Sequence, residues 1–115
     1  MSSDRSIGDW FRSALPLLLL THLSTGPNHG YGLMESLRAQ GFEVKGATVY
    51  PHLNRLQEDG LIESAWHAPD NGPARKVMTI TASGRDRLLV LRDDWIRFRD
   101  DIDTALSATA QGETE

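Results

Sequence analysis

The chain has no cysteine, which excludes disulfides, thiolate metal ligands and cysteine nucleophiles. It has no long apolar run either. The most hydrophobic stretch, Leu15 to Leu20, contains Pro16 and is far too short to span a bilayer. It is not preceded by the basic segment, or followed by the cleavage site, of a secretory leader, so a cytoplasmic location is expected. No serine-nucleophile motif, glycine-rich phosphate loop or metal-assisted hydrolysis motif occurs. The four histidines (His22, His29, His52, His67) include no pair at the i,i+4 spacing of a helical metal site. The neighbouring acids Asp93-Asp94 and Asp100-Asp101 point away from each other on a helix and make poor acid–base pairs. No catalytic residue, metal or cofactor is expected.

Positive charge is also scarce, with a formal net charge of −4. Its distribution matters more than its sum. Between residues 12 and 81, six cations (Arg12, Arg38, Lys45, Arg55, Arg75, Lys76) balance six acids (Glu35, Glu43, Glu58, Asp59, Glu63, Asp70). The excess acid lies C-terminal to these, where five arginines meet eight acids. A nucleic-acid ligand needs a local basic stripe, which a neutral body can still supply.

With 115 residues and clustered aliphatics, the chain is expected to form one domain with one modest core. Residues 1 to 6 are polar and read as a mobile arm. Ser6-Ile7-Gly8-Asp9 has capping-box character, and Pro16 predicts a short turn before it and a helix starting near it. Leu17, Leu18, Leu20 and Leu23 give that helix its inner face. Gly26-Pro27-Asn28 is a turn. A second helix is predicted over 30–40, closed by Gly41. A third is predicted over 47–59, with Val49, Leu53 and Leu56 inward and Gly60 ending it. Pro51 is early enough in it to be tolerated. Segments 61–67 and 75–81 read as paired strands around Asp70-Asn71-Gly72, a hairpin signal. Thr81 occupies an N-cap position. The last helix is predicted over 82–107, with Leu88, Leu91, Trp95, Phe98, Ile102 and Ala105 at alternating spacings of three and four, an a/d seam. Residues 109–115 read as a disordered tail.

This is the layout of a winged helix-turn-helix, mainly α with a small β hairpin (α+β) and an added C-terminal helix. Residues 1–81 would be a DNA-binding unit with an N-terminal arm, and 82–108 a dimerisation helix. Five segments carry a more specific resemblance. They are His29-Gly30-Tyr31-Gly32-Leu33, Thr48-Val49-Tyr50-Pro51-His52-Leu53-Asn54-Arg55-Leu56, Asp59-Gly60-Leu61-Ile62, Gly72-Pro73-Ala74-Arg75-Lys76 and Thr81-Ala82-Ser83-Gly84-Arg85. In this order they resemble the PadR family of bacterial transcription regulators, over roughly residues 15 to 106. The chain departs from the family at Val77 and Met78, where two aromatics are usual, and at Ala74.

The resemblance implies a homodimeric repressor that binds duplex DNA. In a helix-turn-helix the N-terminal part of the second helix reaches base edges. Thr48 and His52 can exchange hydrogen bonds there, while Asn54 and Arg55 can hold a base or phosphate. Periodicity alone allows these to be ordinary surface polars. Tyr50 matches a tyrosine that the family places at the DNA backbone, with a buried structural role as the alternative. Tyr31, either packed inside or touching phosphate, and Lys45 complete the helical candidates. Arg75 and Lys76 on the return strand would lie near phosphates, or else serve only as edge-strand charges.

The seam residues Leu88, Leu91, Trp95, Phe98 and Ile102, closed over by Trp10 and Phe11, form the candidate dimer interface. Two recognition helices about 34–36 Å apart would read a pseudo-palindromic operator. Trp95 matches tryptophans that line an intersubunit pore in some multidrug-sensing relatives. Trp10, Trp95 and Phe98 are therefore candidate contacts for a flat aromatic effector, with dimer core as the simpler role for Trp95. A winged helix used for protein–protein contact without DNA is the other functional reading.

Overall fold

The computed structural model describes residues 7–113. Its elements are α1 (Ile7–Leu23), β1 (Asn28–His29), α2 (Gly30–Ala39), α3 (Gly46–Glu58), β2 (Ile62–His67), β3 (Arg75–Ile80) and α4 (Ala82–Glu113). The three strands form one antiparallel sheet in the order β1-β3-β2. The N-terminal arm and the Ser6 cap lie outside the described residues.

The core is leucine-rich. Leu15, Leu19, Leu20 and Leu23 of α1, Leu33 and Leu37 of α2, and Val49, Leu53 and Leu56 of α3 are buried together, closed by Ile62, Met78 and Ile80 of the hairpin. Both short helices end in the same way. After α2, Gly41 takes φ +98° while the Phe42 N–H donates to the Leu37 carbonyl (3.0 Å) and the Gly41 N–H to that of Arg38 (2.9 Å). After α3, Gly60 takes φ +75°, with Leu61 N–H on Leu56 O (2.9 Å) and Gly60 N–H on Gln57 O (3.0 Å). These are Schellman closures. They need the left-handed backbone that glycine adopts freely, and they fold an apolar residue back against the helix.

The sequence expectation fails at three places. Pro16 lies inside a continuous α1 rather than before a helix. Its missing N–H leaves the Arg12 carbonyl without an intrahelical donor, a local cost that burial of the leucine face outweighs. The inner face accordingly uses Leu15 and Leu19, with Leu17 and Leu18 only half-buried. The predicted turn at 26–28 ends in a strand, since Asn28 and His29 pair with Met78 and Val77 of β3. The hairpin strands, by contrast, end where expected, with His67 and Arg75 as the last pair. Finally, α4 continues to Glu113, through residues expected to be a disordered tail; Thr109 donates to the Ala105 carbonyl within it (3.0 Å).

Thr81 caps α4 as its sequence position suggests. Its Oγ1 accepts from the Gly84 N–H (3.0 Å) and donates to the Gly60 carbonyl (2.7 Å). Gly84 presses so closely on Leu61 that a Cβ there would collide with the Leu61 carbonyl. The start of α4 is thereby locked to the end of α3. Leu88 and Leu91, expected in a partner seam, seat α4 on the chain's own core instead. Phe11 likewise stacks on Phe42, with ring centroids 5.0 Å apart. From Arg92 to Ala110 every residue of α4 is exposed.

Candidate nucleic-acid interface

On α3 the buried Val49, Leu53 and Leu56 fix which residues face out. At about 100° per residue, Ala47, Pro51, Asn54 and Glu58 form the outermost line. Tyr50 and Gln57 flank it toward the hairpin, and Thr48, His52 and Arg55 lie on the other flank. Ser64 Oγ of β2 donates to Gln57 Oε1 (3.0 Å), which ties the hairpin to α3.

The His-Gly-Tyr-Gly run has a local cause. The Tyr50 ring lies across Gly30, where a Cβ would come within 2.5 Å of its Cε1, and against Gly46, where a Cβ would come within 3.2 Å. Gly32 leaves room for the Asn28 side chain, whose Oδ1 accepts from the His29 N–H (2.8 Å). The Gly32 N–H points at His29 Nδ1 (3.1 Å), at the N-cap of α2. Tyr50 is thus neither buried nor free. It is a half-exposed ring held between the starts of α2 and α3.

A cleft of about 270 Å³ opens between the start of α2, the hairpin side of α3 and the distal hairpin. Five predicted site residues meet there: Tyr31, Tyr50, Asn54, Arg75 and Lys76. No carboxylate lines it among the described residues. Lys45 and Thr48 lie apart, on a groove beside α1 and the α2–α3 connection with Arg12 and Arg38. His52 is half-buried on that side of α3. The Arg55 guanidinium reaches Asp59 at 3.4 Å, an exposed pair that holds it weakly. Lys45, Arg75 and Lys76 make no ion pair among the described residues.

Among the cleft residues outside the predicted site, Trp66 and His29 stand out by their chemistry. Trp66 is 72% exposed and stands opposite Lys76 in the strand register. The alternation Ile62, Ser64, Trp66 already puts it on the helix-facing side of β2. His29 also lines the cleft, with Nε2 2.8 Å from Arg75 Nη1. No local pattern announces that contact between residues 46 positions apart.

On α4 the residues beyond the core form an apolar stripe: Trp95 (45% exposed), Phe98 (58%), Ile102 (41%) and Leu106 (66%). Trp95 and Phe98 are a tilted pair with centroids 6.3 Å apart. Trp10 on α1 is 79% exposed. Among the described residues no helix is long and apolar enough to cross a membrane.

Residues 19–89, more than half of the chain, match the sequence family described as the transcriptional regulator PadR-like family. The chain is 39% identical to the transcriptional regulator Rv3488 of Mycobacterium tuberculosis over 77 residues, covering 67% of this chain and 71% of that protein. The fold is similar to a PadR family transcriptional regulator from Eggerthella lenta, with TM-score 0.80, 29% identity, and 87% and 88% of the two chains covered. It is also similar to the PadR-like regulator BC4206 of Bacillus cereus, with TM-score 0.76, 29% identity, and 85% and 96% covered.

Proposed function

Because the chain belongs to the PadR-like family of transcriptional regulators, we propose that it is a cytoplasmic repressor that binds a pseudo-palindromic DNA operator as a homodimer. The observation that carries the DNA reading is the acid-free cleft in which Arg75 and Lys76 of the wing meet Tyr31, Tyr50 and Asn54. Phosphate backbones are recognised by such unpaired cations and hydroxyl donors. Thr48, Pro51, Asn54 and Arg55 present the recognition face of α3 to the major groove, with Lys45 and His52 at its margin. Residues 1–81 are the DNA-binding unit, and the helix that starts at residue 82 joins the subunits.

A gel-shift titration against duplex DNA from upstream of its own gene, at two salt concentrations, tests this. Arg75→Ala and Lys76→Ala should each weaken binding about equally on all sequences and lower the salt-dependence slope by about one. Changes at Thr48 or His52 should alter sequence preference instead. Unchanged affinity and slope in both wing variants would remove the wing from the interface. Absence of DNA binding by the parent protein would favour a protein–protein module, the reading that its net acidity supports.

Release from DNA is assigned to a flat aromatic, cationic effector between the subunits, against Trp95, Phe98 and Trp10. The stripe offers π faces beside the acids Asp94 and Asp101, which suit a cation. The Thr81–Gly60 contact offers a lever, since a tilt of α4 must move the end of α3. An effector lowers DNA affinity only as far as it prefers the incompetent spacing. Such compounds should quench tryptophan fluorescence, and Trp95→Ala should abolish most of the response while the dimer persists. No quenching, or unfolding of the Trp95→Ala protein, would assign Trp95 to the dimer core.

A further inference from the structure

His29 stands where two hydrogen-bond donors converge on one ring. The Gly32 N–H points at Nδ1 (3.1 Å) and Arg75 Nη1 points at Nε2 (2.8 Å). An amide N–H and a guanidinium can only donate. A neutral imidazole has one lone pair to offer and one N–H of its own. It can therefore cap α2 or hold Arg75, but not both. The crowding follows from the sheet: His29 pairs with Val77, which puts Arg75 two residues along the same face of β3. No carboxylate lines the cleft among the described residues, so no anionic acceptor there competes with His29 for Arg75.

We infer that His29 is a positioning residue that parks Arg75 and hands it to a DNA phosphate by changing tautomer. Without DNA, the charge-assisted contact prevails. Nε2 accepts from Arg75, Nδ1 carries the proton, and the Gly32 N–H is left to water. A phosphate oxygen is the acceptor the cluster lacks. When it takes the Arg75 N–H, the ring proton moves to Nε2, which donates to the same phosphate. Nδ1 is then free to accept from Gly32 and close the cap. With phosphate present all three donors find acceptors in the protein or the DNA; without it the Gly32 N–H and the ring N–H depend on water. The wing is thus prepositioned in the free protein, and the start of α2 tightens as DNA is engaged.

This inference rests on the DNA reading above, and the test separates the two. Long-range proton–nitrogen NMR of the histidine-labelled full chain reports ring tautomers, recorded free and with a duplex from upstream of its own gene. His29→Asn identifies the His29 signals by their loss, while the Asn carboxamide can still cap α2. The Nδ1–H form is expected without DNA and the Nε2–H form with it. His29→Asn should weaken binding about threefold to tenfold, and the loss in the double variant with Arg75→Ala should fall short of the sum of the two single losses, because both act at one phosphate contact. An unchanged His29 tautomer in a protein that binds the duplex overturns the inference alone. So do additive losses in the double variant. Failure of the parent protein to bind overturns the DNA reading, and this inference with it.

Discussion

Replacing Phe98 and Ile102 together by Asp should turn the proposed dimer into a monomer and weaken the proposed operator binding by at least about a hundredfold. The magnitude comes from linkage of sites: joining two half-site readers makes the second contact intramolecular, which raises avidity roughly 10²–10⁴-fold without new contacts. The substitutions place four carboxylates per dimer in the apolar stripe, where burial without partners is prohibitive. They should leave each chain folded, because every residue of α4 from Arg92 to Ala110 is exposed and the intrachain anchors are Leu88 and Leu91. An isolated chain would otherwise present Trp95, Phe98, Ile102 and Leu106 to water as one line, a surface that monomeric soluble proteins avoid. Sedimentation and circular dichroism at micromolar concentration check both halves of the expectation. Identical sedimentation of variant and parent would show that the stripe is not what joins the subunits.

Leu53→Ala should be the most damaging single truncation of α3. Leu53 is 3% exposed and lies between Val49 and Leu56 on the face of α3 that meets α1 and α2. Removing its methyl groups loses their burial and leaves a cavity, at a cost of about 2–5 kcal/mol. For a domain of this size that lowers the melting temperature by roughly 10–20 °C. Leu53→Met, which conserves volume, should cost less than about 1.5 kcal/mol. Because α3 carries the proposed base contacts, DNA affinity should fall with the folded fraction and recover on cooling. A melting temperature unchanged by Leu53→Ala would mean that the inner face of α3 is wrongly assigned.

The elements legible in the sequence are those governed by short-range sterics and hydrogen bonding. Gly41 and Gly60 mark helix ends because the left-handed backbone is inexpensive for glycine. Thr81 marks a helix start because its hydroxyl reaches a donor three residues on. The inner face of α3 follows from the spacing of Val49, Leu53 and Leu56, and with it the outward set Thr48, Asn54 and Arg55. The family was legible for the same reason, since its segments are turns, caps and faces in fixed order.

What only the tertiary structure decided are matters of juxtaposition. β1 is two residues long and exists because β3 offers it an edge, so no periodicity foretells it. Pro16 breaks a local rule that the burial of Leu15, Leu19, Leu20 and Leu23 overrides. Leu88 and Leu91 share a heptad pattern with Trp95 and Phe98, and only the docking of α4 separates those that seat it from those left for another surface. The meeting of His29 with Arg75, and of Trp66 with Lys76, depends on strand register across the sheet. Local backbone preferences are set within a few residues of chain. Contacts between distant residues are set by which packing buries the most apolar surface, and that is a property of the whole fold.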